Sequence, residues 1–202
     1  RAMNEQKAKA MASWKGSGEK EVASFYKEFL QSSPPTIFEG YGTTQGKGRV
    51  LAILKDQESV DSASSGDEIE FLTDKTPFYG ESGGQVGDSG RAFNENIQLE
   101  LNDANKPLPG LIVHKAKIIQ GTLHTGDNLT LEVNRHTRGG IALNHSATHL
   151  LHAALKEVLG EHIKQAGSLV ASNRLRFDYT HFSPLTDKER IRIESRVNEK
   201  IR

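Results

Sequence analysis

The chain has 202 residues, 35% hydrophobic and 26% charged, which is enough for a buried core and is not the composition of a disordered segment. Its 26 basic residues are balanced by 26 acidic ones, which argues against a broad non-specific nucleic-acid surface while leaving room for a local basic groove. No apolar run is long enough to cross a membrane, the start reads as a charged helix rather than a signal peptide, and cysteine is absent. The expectation is a cytoplasmic protein, an organelle being the alternative, with no membrane partner. Any zinc site must use histidine and carboxylates or ligands from outside the sequence.

In chain order, residues 1–15 read as a short amphipathic helix, and Gly16-Ser17-Gly18 breaks it. A second helix is expected over 19–30, where Val22, Phe25, Tyr26, Phe29 and Leu30 recur at helical spacing. Pro34 and Pro35 close this region. Strand-like runs follow at 36–38, 48–54, 68–72, 90–93, 97–101, 111–118 and 129–133, separated by Gly- and Pro-rich turns. That pattern predicts a small barrel or sandwich. Residues 123–131 read as a hairpin entry into the last of these strands.

Residues 134–140, Asn-Arg-His-Thr-Arg-Gly-Gly, read as a polar linker. Its Arg135 and Arg138 either meet phosphates or are solvated, and the solvated reading is favoured. A helix is expected over 144–159, rich in Ala and Leu and stopped at Gly160. Residues 163–170 and 174–179 alternate and read as paired strands. A last helix starts near Asp187, with Thr186 and Glu189 at capping-box spacing. The fold class expected is α+β: N-terminal helices over 1–33, a β-barrel over 34–138, and an α+β unit over 139–202.

Two stretches carry chemistry. His145 and His149 stand four apart on the third helix, so both imidazoles leave one face, as two ligands of one metal ion require; the competing reading is a pair that caps or lines a core. Ser146, not Glu, follows His145, which disfavours the zinc-protease pattern. The second stretch, 73–90, holds five glycines after position 79 and a Gly83-Gly84-Gln85 run. Such a loop can bring backbone N–H groups and an amide to a small polar ligand, or it can be an ordinary surface loop. No Gly-Lys-Ser/Thr follows, so it is not a P-loop.

Together, Thr-Pro-Phe-Tyr-Gly-Glu-Ser-Gly-Gly-Gln-Val-Gly-Asp-Ser-Gly over 76–90 and Asn-His-Ser-Ala-Thr-His-Leu-Leu-His over 144–152 resemble the editing region of alanyl-tRNA synthetases. Residues 167–170 and 174–178 extend the likeness, and the run after Met3 resembles the end of that family's tRNA-recognition domain. The resemblance implies a β-barrel followed by an editing core that hydrolyses the ester joining serine or glycine to tRNA(Ala). It implies zinc held by His145 and His149 together with a later Cys and His that have no counterpart here. It implies Gln85 and Thr76 as catalytic residues, with Thr76 near the serine hydroxyl, and Gly83, Gly84 and Asp88 at the substrate, Asp88 bracing the loop. The implied partners are the tRNA acceptor end and the rest of a synthetase chain, whose aminoacylation domain would use ATP and magnesium. Since the sequence starts without Met and stops within a helical pattern, it reads as an excised piece that holds zinc weakly. The alternative is a non-catalytic tRNA-docking segment.

Overall fold

A computed structural model of the chain describes residues 17–201. The helix expected over 1–15 lies outside the described residues. Helix α1 spans Ser17–Ser32, two residues longer at each end than its apolar spacing indicates. Its Tyr26 is buried, and Phe25, Phe29 and Leu30 pack with it against Ala52, Leu54, Leu72, Leu111 and Val113. The Tyr26 hydroxyl donates to Glu70 Oε2 at 2.5 Å, tying the helix to the barrel wall.

The strands are β1 (Ile37–Phe38), β2 (Gln45–Lys55), β3 (Glu58–Val60), β4 (Ser62–Ser64), β5 (Glu68–Thr73), β6 (Lys75–Thr76), β7 (Gly90–Phe93), β8 (Gln98–Asn105), β9 (Val113–Gln120), β10 (Thr122–His124) and β11 (Asn128–Val133). Strands β11, β7, β8, β9, β5 and β2 are neighbours in that order, and β11 pairs back onto β2. The sheet is thus a closed six-stranded barrel, which leaves no open edge in its wall. Its interior is filled by Val50, Ile53, Phe71, Phe78, Leu99, Leu101, Ile118, Leu129 and Leu131. Each such side chain contributes on the order of 2 kcal/mol of burial. Ala52, Ile53 and Leu54 are all buried because Ile53 faces the barrel while its neighbours lie under α1. That two-sided burial explains the continuous apolar run in β2.

The hairpin expected over 123–131 is not formed. Strand β10 pairs with β4, and β11 pairs with β2 and β7. Asp127 Oδ2 accepts from His124 N–H at 2.8 Å, so the segment between them is a side-chain-capped turn that sends the chain to a different partner.

Helix α2 runs Arg135–Leu159, nine residues longer at its start than expected. Asn134 is its N-cap, with Oδ1 accepting from the N–H of His136 and of Thr137 at 3.1 Å each. Residues 134–140 are therefore a cap and the first turns of a helix, not a linker. Gly139-Gly140 does not break it, and Gly140 answers a packing demand: a Cβ there would stand 2.6 Å from the Ser172 carbonyl oxygen. Strands β12 (Gln165–Val170) and β13 (Leu175–Tyr179) form the expected antiparallel pair. Helix α3, Asp187–Ile201, follows. Its capping box is formed as read from sequence: Thr186 N–H donates to Glu189 Oε2 at 2.8 Å and Glu189 N–H to Thr186 Oγ1 at 3.3 Å. Ala154, Leu155, Ile163 and Ile193 make a further core between the helices and this hairpin. Among the described residues no helix is long and apolar enough to cross a membrane.

Candidate functional site

The glycine loop leaves the barrel after β6 and is fastened on three sides. Phe78 is fully buried in the barrel core. Glu81 N–H donates to the Ala104 carbonyl of β8 at 2.7 Å. On the far side, Val86 N–H donates to the Val170 carbonyl at 3.1 Å, and Val170 N–H to the Gly84 carbonyl at 2.7 Å, so the loop lies along β12. A side chain at position 84 would place its Cβ 2.3 Å from Ser168 Oγ, and φ there is +86°. Only glycine meets both conditions. Ser168, which the sequence reading did not single out, also donates from Oγ to the Gly83 carbonyl at 3.3 Å.

This path carries Gln85 to helix α2. Gln85 Oε1 lies 2.8 Å from His145 Nδ1. An amide oxygen only accepts, so Nδ1 carries the proton and the Nε2 lone pair accepts from His149 Nε2–H until a metal displaces that proton. His149 Nε2 stands 3.1 Å from His145 Nε2, with the two rings tilted by 54°. Both histidines are solvent-exposed and Gln85 is half-buried. The competing reading of the pair as core-lining is therefore excluded by exposure. Two imidazole nitrogens bound to one tetrahedral zinc stand about 3.3 Å apart, so this donor pair fits two of its four positions. Among the described residues no third His, Asp or Glu joins them.

Thr76 is elsewhere. It is fully buried in the barrel, and its Oγ1 meets His114 Nε2 at 2.8 Å and accepts from Phe78 N–H at 3.1 Å. His114 Nδ1 lies 3.2 Å from the Phe71 carbonyl, which can only accept. Nδ1 therefore carries the proton, and Nε2 accepts from the Thr76 hydroxyl. Burial pushes the His114 pKa down to about 4, which keeps the ring neutral for this role. Thr76, expected near the serine hydroxyl, has its own hydroxyl engaged in a hydrogen-bonded chain inside the barrel. His114 was missed because a single histidine in a strand pattern carries no spacing signal.

Asp88 is a brace. Its carboxylate is buried and paired with Arg138, and Oδ2 also accepts from Tyr79 N–H at 2.6 Å. Arg138 is accordingly not the solvated residue expected; it also donates to the carbonyls of Gly40 at 3.0 Å and Pro77 at 2.9 Å. Arg135 is exposed, with Nε donating to Thr44 Oγ1 at 3.0 Å. The backbone N–H groups of Gly83 and Gly84 make no hydrogen bond among the described residues. A cavity of about 780 Å³ where α1 meets the barrel, lined by Tyr26, Leu54, Glu70 and Lys115 among others, holds none of these groups.

Residues 1–137 match the family model described as tRNA synthetases class II (A). The whole chain is 46% identical to the alanine–tRNA ligase of Anaeromyxobacter dehalogenans and 48% identical to that of Sphingopyxis alaskensis. The alanine–tRNA ligase of Rhizorhabdus wittichii is 46% identical over the same 202 residues. The chain spans 22% to 23% of the length of these curated relatives.

Proposed function

The chain belongs to the alanyl-tRNA synthetase family, and from that premise we propose that it carries the part of the ligase that hydrolyses seryl- or glycyl-tRNA(Ala). The observation that carries this reading is the convergence of Gln85, His145 and His149, held at 2.8 and 3.1 Å where the barrel loop meets helix α2. Ester hydrolysis needs a held carbonyl, a placed water and stabilisation of the oxyanion that forms. His145 and His149 would hold zinc through their Nε2 atoms, and bound zinc would supply Lewis-acid polarisation of an oxygen.

The chain's own groups do the positioning. The Gln85 oxygen is committed to His145, which leaves its amide NH₂ to hold the aminoacyl group or the attacking water. The free N–H groups of Gly83 and Gly84 are donors suited to an ester carbonyl, and a carbonyl that becomes an oxyanion binds such donors more strongly than the ester does. Rigid placement matters because a shift of about 1 Å can cost a hydrolase on the order of 10²-fold in rate. The tRNA acceptor end is the partner in this reading, and Arg135, exposed at the start of α2, is a candidate phosphate contact.

A second reading, a tRNA-docking segment without hydrolysis, is favoured by a donor set of two imidazoles among the described residues. Deacylation of seryl-tRNA(Ala), assayed with and without added zinc and repeated with Gln85→Ala, separates the two. The hydrolase reading expects turnover that Gln85→Ala reduces; binding of the tRNA without turnover supports the docking reading.

A further inference from the structure

Arg138 and Asp88 join the two elements that bring Gln85 to His145. Asp88 lies three residues after Gln85 on the glycine loop, and Arg138 lies seven before His145, two turns back on the same face of α2. The Asp88 side chain is 1% exposed and that of Arg138 19%. Arg138 Nε donates to Asp88 Oδ1 at 2.8 Å, Nη2 pairs with Oδ2, and the other donors go to the Gly40 and Pro77 carbonyls. An ion pair this buried adds little net stability over an apolar filling, because desolvation offsets the attraction. What it does supply is orientation, since the planar guanidinium fork accepts a carboxylate in few geometries.

The loop has other fastenings, but they lead elsewhere. Its ladder with Val170 fixes it on β12, and Asn134 N–H to the Ser89 carbonyl, 2.8 Å, holds only the residue before the helix. Among the described residues, the hydrogen bonds between the loop and the body of α2 are those of Arg138 and the Gln85–His145 contact itself. We propose that the Arg138–Asp88 pair sets the register of the glycine loop on α2, which makes Arg138 a positioning residue for the Gln85–His145 contact. Its consequence for turnover rests on the hydrolase reading above; its consequence for His145 does not.

The test is long-range ¹H–¹⁵N NMR of the histidine rings in the metal-free chain at pH 8. Native protein shows His145 in the Nδ1–H form, and Gln85→Ala, which deletes the acceptor, gives the unconstrained mixture as a reference. Arg138→Lys keeps the charge but loses the fork, and it moves His145 toward that reference while the signals of the barrel core stay in place. Deserylation then falls through kcat by about 10²-fold. Should Arg138→Lys fail to fold, Asp88→Asn, which keeps the shape of the carboxylate, carries the same reading. A lowered melting temperature with His145 still in its native form overturns the proposal, as does a native His145 without the Nδ1–H signature. The expected NMR shift in a protein that never deacylates seryl-tRNA would uphold the register proposal and defeat the hydrolase reading.

Discussion

His145 Nδ1 and Gln85 Oε1 stand 2.8 Å apart although 60 residues separate them in the chain, and this contact fixes which nitrogen of His145 carries the proton and which turns to His149. A ligand histidine oriented by such a neighbour typically loses 10–100-fold in metal affinity or activity when the neighbour is removed. In a full-length ligase carrying these residues, Gln85→Ala is expected to slow removal of serine by about that factor. Under the proposed hydrolase reading, alanine charging should stay nearly unchanged. Parallel loss of charging and deserylation would point to a folding defect and not to this site.

Zinc should bind this chain weakly. Stable protein sites supply three or four ligands, and His145 and His149 supply two. Dialysis against a chelator is expected to strip the metal, and His149→Ala to abolish what calorimetry detects before dialysis. Stoichiometric zinc that survives the chelator would require a further donor from this chain.

The barrel carries a pH dependence of its own. His114 has a folded pKa of about 4 against 6.5 for an ordinary histidine, so the unfolded chain takes up its proton first as the pH drops. Stability from this group is complete above pH 6.5 and is lost as the pH falls toward 4, by at most about 3 kcal/mol. His114→Phe should flatten that limb of the curve. At pH 7 it should cost roughly 1–3 kcal/mol, since the Thr76 hydroxyl and Phe71 carbonyl lose their partner. Melting temperatures from pH 4 to 7.5 for both proteins check this, and an unchanged acid limb in the variant would count against His114 as its origin.

Gly83 and Gly84 should differ although they are neighbours with positive φ. A Cβ at 83 enters open space, whereas one at 84 meets both the side chain and the backbone of Ser168. Gly83→Ala is expected to cost about 1–2 kcal/mol of backbone strain. Gly84→Ala adds the collision and should move the loop off β12, with a melting temperature several degrees lower than that of Gly83→Ala. Equal melting temperatures would mean that the loop does not press on Ser168.

Much of the fold was readable because burial imposes a period on the chain. Strands such as β8 alternate buried and exposed residues, and α1 repeats its aromatics every three to four positions. The start of α2 was not readable, because Gly139-Gly140 looks like a break until Ser172 is seen pressed against Gly140. Asn134 as a cap was the available signal for an earlier start. For the site, the spacing of His145 and His149 was legible because helical geometry is local. The fates of Thr76 and Arg138 were not, since each is decided by partners 38 to 98 residues away that no local pattern announces.

The most direct measurement of the central claim is a double-mutant cycle on deserylation by the full-length ligase, using Gln85→Ala, His145→Ala and the pair. Residues that act through one contact lose their effect together, so the double variant should be little worse than the more damaged single one. Losses that multiply, with each substitution reducing turnover independently of the other, would contradict a shared site for Gln85 and His145.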